Sequence, residues 1–65
     1  MNSMNPLPSD PVMLLSVVNM KLWDVYPGLD ALCDDLDVKR KDIDDALTGI
    51  GYSYDGERNA FVPKE

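Results

Sequence analysis

The stretch KRKDIDDALTGIGY, residues 39–52, gathers the densest set of side chains that could do chemistry: Lys39, Arg40 and Lys41, followed at once by Asp42, Asp44 and Asp45. Three cations at the start of a helix suit DNA contact, because the outward residues of a recognition helix meet phosphates and base edges there. Arg58 would add a fourth cation from a later turn. Two of the aspartates, however, stand one turn beyond the cations, where a phosphate backbone would come close. Arg40–Asp44 and Lys41–Asp45 also have the i, i+4 spacing of local ion pairs, each contributing about 0.2–0.5 kcal/mol when exposed. Such pairs neutralise the surface that a nucleic acid would need. The expected role of this helix is a solvated charged face, with DNA contact through Lys39, Arg40, Lys41 and Arg58 as the alternative.

Other chemistry is thinner. Asp34, Asp35 and Asp37, or Asp42, Asp44 and Asp45, suggest calcium at first sight. An EF-hand loop needs alternating ligands, a glycine at its sixth position and a closing glutamate, and neither cluster supplies them. Carboxylate pairs that do acid–base work need a desolvated site, whereas these fall on outward positions of predicted helices. Cys33 as a nucleophile would need a neighbouring base; the chain has no histidine, and Cys33 shares an apolar helical face, which reads as core. A single cysteine supplies neither a disulfide nor a structural zinc site. No catalytic residue, metal site or cofactor is expected, and the chain is read as not an enzyme.

The elements that must position these residues belong to a small domain. Sixty-five residues bury only about 60% of the surface exposed by the unfolded chain. With no disulfide or metal staple, stability must come from tight helical packing, self-association, or both. The net charge of −6 weighs against nucleic acid and against anionic membranes. Residues 28–65 hold ten acidic against five basic side chains, a balance of −5, so the acidity surrounds the basic trio. No apolar run approaches the roughly 20 residues that span a bilayer. The N-terminus MNSMNPLPSD lacks the features of a secretion signal, and a free thiol suits a reducing compartment, so a cytoplasmic protein is expected.

Residues 1–9 read as an irregular arm, 10–62 as one compact domain and 63–65 as a tail. Ser9 or Asp10 can cap a first helix, Pro11 suits its first turn, and Pro27-Gly28 stops it near Tyr26. That helix carries two apolar stripes. Leu14, Leu15, Val18, Leu22 and Val25 make the core side. Met13, Val17, Met20 and Trp23 lie elsewhere, and single-layer packing covers only one face of a helix. They are the expected contact surface for a protein partner or a second copy, unless Met4 and Leu7 of the arm cover them. LDALCDDL, residues 29–36, repeats apolar residues at i, i+3, i+4 and i+7. Ile43, Ala46, Leu47 and Ile50 form the buried face of a third helix, which Gly51 would end in a left-handed cap with Tyr52 packed back on Leu47. YSYDGERNAFV, residues 52–62, reads as a β-hairpin turning at Asp55-Gly56.

LCDDLDVKRKDIDDAL, residues 32–47, resembles a helix-turn-helix. Cys33 takes the small-residue position where the helices touch, and Asp37 takes the turn position usually held by glycine. Val38 packs under the turn, and Ile43 and Leu47 anchor the second helix. With one helix before and a hairpin after, the expected fold is mainly α: a three-helix, helix-turn-helix-like bundle with a C-terminal β-hairpin, winged-helix-like in outline. The favoured function is a non-enzymatic interaction or self-association module; the alternative is a helix-turn-helix transcription regulator.

Three segments, LPSDPVMLLSVVNMKLWD, LDALCDDLDV and IGYSYDGERNAFV, together resemble a family of short bacterial proteins known only as a domain of unknown function. The resemblance implies a compact, stand-alone domain. It brings no active-site or binding residues. Trp23 stands where such sequences are expected to carry a charged residue, which adds weight to a partner surface there.

Overall fold

The computed structural model describes residues 7–64: three helices followed by a two-stranded antiparallel hairpin. Helix α1 runs Pro11–Asp24, α2 Leu29–Leu36 and α3 Arg40–Thr48; strands β1 and β2 are Tyr52–Asp55 and Ala60–Pro63. This is the expected three-helix and hairpin architecture, with local corrections at several element ends.

Asp10 is the cap of α1. Its Oδ1 accepts from the Val12 N–H at 2.9 Å, and Pro11 occupies the first turn, where a missing N–H costs nothing. The helix stops at Asp24, short of Tyr26, as Val25 leaves helical geometry. Val25 is consequently 63% exposed and does not extend the core stripe. The buried residues of α1 are Leu14, Val18 and Leu22, spaced by one turn. Leu15 and Val17 lie half-buried on either side of them, against the core.

The turn from α2 to α3 takes three residues. Asp37 adopts φ 57°, in the left-handed region, which Asp enters more readily than most side chains. The Val38 N–H then donates to the Cys33 carbonyl at 3.0 Å, closing the end of α2. Lys39 is the residue before α3 rather than its first turn. At the far end, α3 tightens: Ile50 donates to Leu47 and Gly51 to Thr48 in three-residue turns. Gly51, at φ 89°, therefore turns the chain into β1 one tight turn after the helix ends at Thr48, in place of the direct cap expected.

The core gathers Leu14, Val18 and Leu22 of α1, Leu29, Leu32 and Cys33 of α2, Ile43 and Leu47 of α3, and Phe61 of β2. Leu7 joins them at 8% exposure. Leu7 therefore packs into the core, and Met13 and Met20 stay exposed. Met4, the other residue expected to cover that stripe, lies outside the described residues. The hairpin reaches past residue 62: Pro63 pairs with Tyr52, and the Lys64 N–H donates to the Gly51 carbonyl at 2.7 Å.

A pair of asparagines docks the hairpin on α1. Asn19 Nδ2 donates to the Phe61 carbonyl at 3.1 Å and Asn19 Oδ1 accepts from the Phe61 N–H at 2.8 Å. Asn59, itself left-handed at φ 54°, donates through Nδ2 to the carbonyls of Leu22 and Tyr26 at 3.0 and 2.9 Å. These carbonyls lie at the end of α1, where a helix leaves acceptors without internal partners. Asn59 supplies the donor. The Tyr54 hydroxyl donates to Asn59 Oδ1 at 2.7 Å and accepts from the Leu29 N–H at 3.3 Å. Gly28, which precedes α2, has no side chain to cap it; Tyr54 of the hairpin takes that role.

Candidate functional site

Two surfaces were singled out by sequence, and the fold sets them in different surroundings. The first is the outward side of α1. Its core stripe points inward, so the positions half a turn away face solvent: Met13 is 57% exposed, Met20 60% and Trp23 88%. Val12, at 64%, and Val25, at 63%, extend the same helix end to end. Among the described residues, these five are the exposed large hydrophobics, and all lie on α1 or its immediate end. Val17 leaves the group, because it leans on the core. Val12 joins it; its outward position could have been read from the 100° spacing that placed Met13 and Met20.

The second surface is the basic start of α3. Arg40 Nη1 meets Asp30 Oδ1 at 3.0 Å, and its Nε meets Asp44 Oδ2 at 3.4 Å. The guanidinium also lies over the Tyr54 ring, 5.5 Å from its centre, a cation–π contact. Lys41 Nζ meets Asp45 Oδ2 at 2.8 Å, and Arg58 Nε meets Asp55 Oδ2 at 3.6 Å. The hydrogen bonds that Arg40 donates to Asp30 and Lys41 donates to Asp45 are the largest influences raising their pKa values above the usual levels. Of the four cations read as DNA contacts, three are engaged by carboxylates; Lys39 is exposed. The i, i+4 pairs were legible in the sequence. The Asp30–Arg40–Tyr54 grouping was not, since it joins three separate elements.

Asp37, Lys39 and Asp42 rim a cleft of about 510 Å³ whose floor includes Leu7, Leu14 and Ile43. It lies at the α2–α3 turn, on an apolar floor with no buried polar side chain among the described residues. Cys33 is buried, and burial is the main reason its thiol pKa is raised. That is opposite to the lowered pKa that makes a cysteine reactive at neutral pH. Among the described residues, no group of three or more His, Cys, Asp or Glu comes together as a metal site. No described helix is long and apolar enough to cross a membrane.

A family model described as Domain of unknown function (DUF4250) matches residues 8–61. Neither the curated proteins nor the solved structures match the chain.

Proposed function

The chain belongs to the DUF4250 family of unknown function, and we propose that it is a non-enzymatic protein-interaction module whose docking surface is the outward face of α1. The carrying observation is the concentration of Val12, Met13, Met20 and Trp23, all exposed, on that helix. Isolated exposed apolar residues are ordinary; a contiguous group along one helix is the mark of a contact surface. Tryptophan at 88% exposure adds to this, since Trp and Met are enriched at the centres of protein interfaces.

The charge distribution favours this reading over DNA contact. α1 carries only Lys21 and Asp24 among its fourteen residues, so its outward face can be dehydrated with little ionic cost. The start of α3 instead holds carboxylates beside its cations, and these would repel a phosphate backbone.

Site-specific photocrosslinking tests the proposal. A photoreactive residue at Met20 is expected to give discrete protein adducts in living cells, while the same residue at Lys64, away from α1, gives none. Absence of adducts from Met13, Met20 and Trp23 alike would remove the basis for a docking face.

A further inference from the structure

Resting on that reading, we infer that the occupant of the α1 face is a second copy of this chain, its α1 antiparallel to the first about a two-fold axis between Ser16 and Val17. The residues on the face are paired by their spacing. Met13 and Met20 are seven residues apart, while Val12 and Trp23, like Asp10 and Lys21, are eleven apart. Seven and eleven residues are close to two and three turns, so the members of each pair lie on nearly the same line along the helix. Each pair is also centred within one residue of the same point.

An antiparallel two-fold brings each residue against the other member of its pair on the second chain, as an isologous interface requires. Met13 meets the second copy's Met20, and Val12 meets its Trp23 on one flank. On the opposite flank Lys21 meets Asp10 of the second copy. Neither Lys21 nor Asp10 takes part in an ion pair within the chain among the described residues; Asp10 Oδ1 caps α1 by accepting from the Val12 N–H, which leaves its other carboxylate oxygen for this contact. Ser16, small and exposed, sits at the crossing, where close approach needs a short side chain. Antiparallel helix dipoles also attract. A parallel two-fold pairing would place the two copies' Lys21 and Asp10 on opposite flanks, so these charges would not meet.

The face is modest beside the roughly 800 Å² per partner of a standard interface, so the dimer is reversible and concentration-dependent. Sedimentation equilibrium of the full chain is expected to show a mass rising from 7.3 kDa toward twice that value. M13K and M20E each place a charge against methionine and are expected to weaken association by about tenfold or more. An equimolar mixture of the two recovers it, because the cation introduced on one chain then faces the carboxylate introduced on the other. Circular dichroism checks that both variants fold; if either fails, M13E with M20K makes the same test.

A parent chain that stays monomeric to millimolar concentration overturns the inference. Photocrosslinked adducts to a different protein would still leave the docking face standing. Dimerisation unaffected by either substitution overturns both, and a mixture that fails to recover overturns the antiparallel register.

Discussion

Asn19 and Phe61 exchange two hydrogen bonds, so one side-chain amide of α1 satisfies both backbone groups that β2 turns toward the helix. The side chain behaves there as a short piece of neighbouring strand. Asn19→Ala would leave a part-buried N–H and C=O without partners, at a cost of roughly 1–3 kcal/mol for each group that water cannot reach. Urea denaturation is expected to show a lowered midpoint with an unchanged slope. Asn19→Asp should recover little, because it keeps an acceptor for the Phe61 N–H but sets a carboxylate against the Phe61 carbonyl.

Leu32 and Leu47 are fully buried on facing helices. Replacing either with alanine removes contacts and leaves a cavity, costing about 2–5 kcal/mol. In a domain this small that is comparable with the whole stability. Leu32→Ala and Leu47→Ala are each expected to lose the cooperative thermal transition, whereas Met13→Ala stays within about 0.5 kcal/mol of the parent under monomeric conditions.

Alkaline pH should destabilise the fold through Tyr26 and Cys33. The Tyr26 hydroxyl donates to Asp35, and this bond, followed by burial and the Asp35 charge, raises its pKa above the ordinary 10.0. Burial, aided by Asp30, raises Cys33 above its ordinary 9.0. Both groups hold their protons more tightly folded than unfolded, so their contribution is intact below pH 9 and lost as pH rises through the raised folded values. A urea midpoint that falls above pH 9, and falls less steeply in Tyr26→Phe, is the expected result.

Cys33 also predicts slow thiol chemistry. Its burial and raised pKa leave little accessible thiolate at neutral pH, so a disulfide reagent should react on the timescale of opening and become fast in denaturant. Immediate reaction in native buffer would contradict the packing described.

Mobility-shift titration of the parent with duplex DNA at low salt is expected to show no complex. Neutralising the partners of α3, in Asp44→Asn with Asp45→Asn, releases Lys41 and loosens Arg40, and weak, salt-sensitive binding should then appear. A parent complex at low salt would revive the DNA reading.

The i, i+3, i+4 spacing of Leu29, Leu32, Cys33 and Leu36 placed α2, and the i, i+4 charges of α3 announced their own ion pairs, because both depend on helical repeat alone. Val25 and the end of α1 misled for the same reason: the spacing continues to Val25, but the backbone does not. Its last carbonyls turn to Asn59, thirty-odd residues away in sequence. The α1 face was legible as a second stripe; Val17 was assigned to it because spacing gives direction but not the depth of the neighbours.

By itself the sequence determined the number of helices, the hairpin, the buried stripes of α2 and α3 and the acidic surroundings of the basic trio. These follow from short-range periodicity and charge, which any window of the chain displays. Only the tertiary structure decided that Leu7 completes the core, that Tyr54 caps α2, that Asn19 and Asn59 fasten the hairpin, and that Asp30 reaches Arg40. Each of those contacts joins residues whose separation in the chain carries no periodic signal, and they exist because packing brought unmatched backbone groups and charges within bonding distance.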